Sequence, residues 1–254
     1  MKIKTEIFHG NDSALFFKGN GQKILVDGIY GGTRRMGESV RDLGMSDMPE
    51  EYLAMAEEGK GIFKSPDILL FTHTHRDHYN EALVSRYMSR FPGAKIFVPG
   101  RDESGLEPEK KGERCWSLKS GLAEISVLEA DHLDLGESLR KFQNIENRSF
   151  IISFGEERFM VAGDSVLDES LLKVMKDNRL DNITYIFVNV IHLLIRKHID
   201  FLKELKPGGV ILYHLPEPED DTMNYLRLAE RAETRFPREL PPLMRAEHMS
   251  WLKL

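Results

Sequence analysis

The stretch at residues 71–78, Phe-Thr-His-Thr-His-Arg-Asp-His, constrains this chain more than any other. It places four side chains able to ligate a metal, His73, His75, Asp77 and His78, within six residues. Ahead of it the run Ile68-Leu69-Leu70-Phe71 is continuously apolar and bounded by Ser65-Pro66-Asp67, a pattern that predicts a short strand buried on both faces. Behind it, residues 79–90 carry Ala82, Leu83 and Tyr87 at helical spacing and stop at Phe91-Pro92-Gly93, so a helix is expected there. The four ligands then belong to the turn at the carboxyl end of a buried strand, where α/β proteins place their sites.

In extended chain, residues two apart point the same way, so His73 and His75 can present imidazoles to one ion. Once the chain turns, Asp77 and His78 can project toward a second ion. Imidazole and carboxylate suit zinc and the other divalent first-row metals. A polar turn in which Asp77 caps the next helix would need one acid and no histidines, so it leaves the cluster unexplained.

Other strands lead to single polar residues. Residues 2–8, 13–18 and 23–27 read as an antiparallel meander, with Gly19-Asn20-Gly21 as the tight turn before the third strand, which ends in Asp27-Gly28. Local sequence leaves Asp27 open between a turn residue and a support for the ligand loop. Residues 122–129 alternate into a strand followed by Asp131-His132, with Asp131 placed to orient the imidazole. A hairpin over residues 149–162 ends in Gly163-Asp164, residues 183–190 form a strand ahead of His192, and residues 209–213 form one ahead of His214. Helices are expected at 49–58, 168–177, 198–205 and 221–235, and a loop or short helix at 101–112.

His-x-His-x-Asp-His after an apolar strand resembles the signature of the metallo-β-lactamase superfamily, most of whose members are binuclear metallohydrolases. The resemblance implies an α+β fold, a four-layer αββα sandwich of two mixed β-sheets flanked by helices. It also implies three more ligands downstream in fixed order, and His132, Asp164 and His214 match them in turn. On that basis one divalent ion would take His73, His75 and His132, a second would take Asp77, His78 and His214, and Asp164 would bridge. Asp27 would support the ligand loop. Zinc is the first expectation, with manganese or iron as alternatives. His192 lies in a place comparable to that of a substrate-side His in the branch resembling ascorbate-6-phosphate lactonase, although the glycines expected beside it are absent, the sequence being Asn189-Val190-Ile191-His192-Leu193.

The implied activity is hydrolysis of a small ester, lactone, amide or phosphodiester by a metal-bridging hydroxide. Water, Asp77 or His192 would supply the leaving group's proton. Two alternatives stand beside it: a nuclease of the same fold, and a non-hydrolytic metal-binding or redox protein.

With 254 residues and 41% hydrophobic content, one domain over residues 1–254 is expected. A net charge of -6 offers no attraction to phosphate backbones, so no nucleic-acid partner is expected. The single cysteine, Cys115, forms no internal disulfide. No apolar run approaches ~20 residues and no leader pattern opens the chain, which predicts a soluble, cytoplasmic protein without a membrane partner. The expected partner is a small-molecule substrate. Its anionic group would be held by Arg34, Arg35 or Arg41 from an irregular, lid-like segment at residues 30–61, where the same arginines could instead pair with Glu38 and Asp42. Oligomeric state is left open.

Overall fold

The apolar runs that precede each polar cluster become the central strands of two mixed β-sheets. The computed structural model describes residues 5–32, 39–101, 106, 108–133, 145–236 and 239–254. It divides into two compact units, one made of the described parts of Met1–Leu106, His214–Leu226 and Ala246–Leu254, the other of Glu107–Tyr213 and Arg227–Arg245.

The first unit contains β1 (Glu6–His9), β2 (Leu15–Gly19), β3 (Gln22–Val26), β4 (Ile68–Leu70), β5 (Lys95–Phe97) and β14 (Ser250–Trp251), in the order β14-β1-β2-β3-β4-β5. The meander is as expected: β1, β2 and β3 pair antiparallel, with Phe8 opposite Phe16 and Phe16 opposite Leu25. Asn20 and Gly21 both take positive φ, 51° and 75°, which lets a two-residue turn follow the strand twist. From β3 onward pairing is parallel, with Val26 opposite Leu70 and Leu70 opposite Phe97. Every residue of β4 is buried, which explains its unbroken apolar sequence. Helix α1 (Glu50–Glu58) follows Pro49 and ends at Gly59 with φ 64°. Helix α2 (Glu81–Arg90) is capped by Asn80, whose side chain accepts from the Leu83 N–H, and it buries Leu83, Val84 and Tyr87. Phe63 joins the two helices, its ring lying 4.8 Å from Tyr52 and 6.3 Å from Tyr87.

The second unit contains β6 (Glu109–Gly112), β7 (Cys115–Ser120), β8 (Ala123–Glu129), β9 (Arg148–Phe154), β10 (Glu157–Val161), β11 (Tyr185–Val188), β12 (Gly209–Leu212) and β13 (Leu243–Arg245), in the order β13-β12-β11-β10-β9-β8-β7-β6. Strands β10 to β13 run parallel and β6 to β10 antiparallel. Its helices are α3 (Glu169–Asp177), capped by the Asp168 side chain, and α4 (Arg196–Leu205), and α5 (Tyr225–Arg235) follows β12 in the chain. The Asp221 carboxylate accepts from the N–H groups of Tyr225 and Leu226 at 2.6 and 3.1 Å, the N-terminal role expected of the acidic run.

Two differences from the sequence reading have physical causes. The described end of the expected loop at 101–112 is strand β6, and its sequence Glu-Lys-Lys-Gly has no apolar face because it is an exposed sheet edge. Strands β7, β13 and β14 were also not expected, the last two being three and two residues long. No helix among the described residues is long and apolar enough to cross a membrane.

Leu69 is fully buried at the centre of β4. Leu69→Ala is expected to lower stability by about 2–5 kcal/mol, read as a lower urea midpoint with an unchanged slope.

Candidate metal centre

The strand directions decide where the polar residues meet. In the first unit β1, β3 and β4 point the same way. Their carboxyl ends lead into Asp12, Asp27 and the loop from His73 to His78, which therefore share one edge of the sheet. The loop is fixed through its backbone: Gly31 N–H donates to Arg76 O at 2.8 Å, Ser13 Oγ donates to Asp77 O at 2.6 Å, and His78 and Tyr79 N–H both donate to His75 O.

Asp27 is the buried anchor of that loop. Its Oδ1 accepts from Thr72 N–H at 2.8 Å and its Oδ2 from Thr72 Oγ1 at 2.7 Å, while His78 Nδ1 lies 2.9 Å from Oδ2. Asp12, also fully buried, plays the matching part for His214, whose Nδ1 meets Asp12 Oδ1 and whose N–H donates to Asp12 O at 3.0 Å. Burial pushes the Asp12 carboxyl up to about 6, and the His214 imidazole pulls in the opposite direction. Asp12, Asp27 and His214 all adopt positive φ, 52°, 49° and 56°, a conformation that side-chain-bearing residues seldom take outside sites that hold them there.

The consequence for the imidazoles is direct. A carboxylate at each Nδ1 keeps the ring proton on that side, so Nε2 presents its lone pair. The Nε2 atoms of His78 and His214 stand 2.9 Å apart, and Asp77 Oδ2 lies 4.0 Å from the first and 3.6 Å from the second. Three electron-pair donors converging at this separation match a divalent ion with ligands at about 2.0–2.2 Å. Asp77, His78 and His214 can therefore hold a metal ion. Beside them Thr72 Oγ1, having donated to Asp27, is 3.0 Å from His73 Nδ1, and His73 Nε2 is 2.9 Å from His75 Nδ1. His73 and His75 thus offer a second pair of nitrogens.

In the second unit β8, β10 and β11 are likewise codirectional, and their carboxyl ends carry His132, Asp164 and His192. His132 Nδ1 donates to Leu133 O at 2.8 Å, which leaves Nε2 as the acceptor, 3.6 Å from Asp164 Oδ2. Asn147, Ser149 and Ser165 tie these turns together beneath, with Asn147 Nδ2 donating to Ser165 Oγ at 2.7 Å and the two serine hydroxyls 2.7 Å apart. The expected orienting role of Asp131 is taken by that Leu133 carbonyl. Asp131 is exposed, and its backbone oxygen accepts from Val166 N–H.

His192 is buried in a 3-10 turn, Val190–Leu194, its ring 5.1 Å from that of His198. Burial pulls His198 down to about 4. Of the arginines expected to meet an anion, Arg41 is exposed and pairs with Asp220 at 3.2 Å, whereas Arg34 and Arg35, like Glu38, lie outside the described residues. Asp42 caps its own turn by accepting from Ser39 N–H. Sequence reasoning missed Asp12, Thr72 and Asn189. Asp12 stands in an Asn-Asp-Ser turn, which by itself signals only a turn.

Comparison of the sequence with protein-family models and with curated proteins finds no match. Comparison of the structure with solved structures does. CmlA, a diiron beta-hydroxylase from Streptomyces venezuelae, superposes with a TM-score of 0.58 at 15% identity, over 100% of this chain and 55% of that one, so this chain spans about half of that protein. The metallo-beta-lactamase fold protein YhfI from Bacillus subtilis gives 0.57 at 15% identity over 98% of both chains. Igni18, a metallo hydrolase from the archaeon Ignicoccus hospitalis, gives 0.55 at 15% identity over 99% of this chain and 100% of that one. The chain is an α+β protein of two mixed sheets and helices with the metallo-β-lactamase fold.

If Asp12 sets the coordinating side of His214, Asp12→Asn will weaken zinc binding by about 10–100-fold, measured by competition with a chromophoric chelator, while circular dichroism shows the fold retained.

Proposed function

We propose that this chain is a metal-dependent hydrolase acting on a small ester, lactone, amide or phosphodiester. The observation that carries the reading is the convergence of His78 Nε2, His214 Nε2 and Asp77 Oδ2, each imidazole backed by a buried carboxylate. The chemistry of the remaining ligands supports a second ion, with His73, His75 and His132 on one, Asp77, His78 and His214 on the other, and Asp164 between them. In this reading the two compact units work as one domain. Zinc suits the donor set best, with manganese or iron in its place where available.

Divalent ions held this way supply a Lewis acid and lower the pKa of water to about 7, so that hydrolysis runs at neutral pH. The protein's own part is positional and acid–base. Asp27 and Asp12 hold the rings of His78 and His214 in one tautomer, and Thr72 does so for His73. The leaving group takes its proton from water, from Asp77 or from His192, which is buried in the turn that follows β11. Arginines from the segment at 30–61 hold an anionic group of the substrate.

A second reading, oxygen chemistry at two irons, is favoured by the likeness to CmlA, since histidine and carboxylate ligands suit iron as well. The two are separated by assaying chelator-treated protein reloaded with zinc, manganese or iron against lactones, esters, amides and phosphodiesters. Hydrolysis abolished by chelation and restored by zinc or manganese, under anaerobic conditions, supports the hydrolase. Turnover requiring iron and oxygen supports the alternative. Asp164→Ala is expected to lose metal and at least ~10³-fold in rate, and full occupancy with normal turnover in that variant would contradict its bridging role.

A further inference from the structure

Asn189 lies one residue past the end of β11, is 3% exposed, and makes hydrogen bonds in two directions. Its Oδ1 accepts from the N–H groups of Ile191 at 3.0 Å and His192 at 3.3 Å, closing the turn that carries His192. Its Nδ2 donates to Asp164 Oδ1 at 2.6 Å. The side facing two peptide N–H donors must be the amide oxygen, so the side facing the carboxylate must be the NH₂, and the orientation follows from the partners alone.

The cap does not account for the choice of residue. Asp, Ser and Thr cap as well as Asn does, but an ionised carboxylate has no donor for Asp164, and a hydroxyl would have to accept at the turn and donate to Asp164 through one atom. The amide does both through two separate atoms, Oδ1 and Nδ2. With Oδ1 held by Asn189, Asp164 Oδ2 is the oxygen left 3.6 Å from His132 Nε2. The His192 ring is packed from its other side, edge-on against His198 of α4. One side chain therefore joins the Asp164 carboxylate to the turn of His192.

We propose that Asn189 is a positioning residue that fixes which oxygen of Asp164 faces His132 and couples that carboxylate to the placement of His192. This rests on reading Asp164 as a metal ligand. It goes beyond the ligand set, because it makes an amide that binds no ion a determinant of ion geometry.

The test uses the full-length protein loaded with cobalt(II), whose visible absorption bands report coordination geometry. Asn189→Asp keeps the turn's acceptor and replaces the donor to Asp164 by a second carboxylate. Asn189→Ala removes both functions. For Asn189→Asp the expectation is a fold retained by circular dichroism, cobalt affinity lowered by about 10–100-fold, and altered absorption bands. For Asn189→Ala the Ile191 and His192 amides should in addition exchange hydrogen faster. Wild-type affinity and bands in both donor-deleting variants would reduce Asn189 to a cap and overturn the assignment, leaving the hydrolase reading intact. Wild-type protein that takes up no cobalt would overturn the reading of Asp164 as a ligand, and this assignment with it.

Discussion

Two fully buried carboxylates, Asp12 and Asp27, each grip the Nδ1 side of an imidazole. A buried carboxylate without compensation is costly; both oxygens of Asp27 are paired, whereas Asp12 is paired through Oδ1 and its Oδ2 has no hydrogen-bond partner among the described residues. Asp27 gathers the Thr72 N–H, the Thr72 hydroxyl and His78, which pulls the ligand loop onto the end of β3. Asp12 takes His214 both through its side chain and through its backbone oxygen. The positive φ values at Asp12, Asp27 and His214 are the local backbone expression of those demands.

Sheet direction makes the arrangement general. Because β1, β3 and β4 are codirectional in one sheet and β8, β10 and β11 in the other, each set of strands delivers its polar residues at carboxyl ends along one edge. The strands themselves are nearly pure hydrophobe: β4 and β12 are buried at every position. Rigid buried strands followed by short turns hold imidazoles to the tolerance that ion binding demands. The buried hydroxyl and amide groups of Asn147, Ser149 and Ser165 do the same for the turns of His132 and Asp164.

How much of this could be read in advance depended on sequence distance. The loop from His73 to His78 was legible because its candidate ligands fall within six residues and follow an apolar strand, and the structure brings Asp77 and His78 together with His214. His132, Asp164 and His214 were legible only through their order behind strands. Asp12 was not, since its partner His214 is 202 residues away and a turn Asp carries no sign of what it will meet. Asn189 was visible only as part of the stretch beside His192, with no sign of its partner Asp164, 25 residues away. Among the strands, those with an apolar run or apolar alternation were readable, β7 excepted. The exposed edge β6 and the short β13 and β14 were not, because pairing rather than side-chain pattern makes them strands. The paired orientation of the rings could not be inferred at all, being a property of partners brought together by the fold.

If these imidazoles and carboxylates hold divalent ions, the metal content of each chain will show it. Elemental mass spectrometry on protein purified without added metal, set beside His132→Ala, is predicted to give about two divalent ions per wild-type chain and fewer in the variant. Metal-free wild-type protein that also fails to take up zinc, manganese or iron would contradict the account.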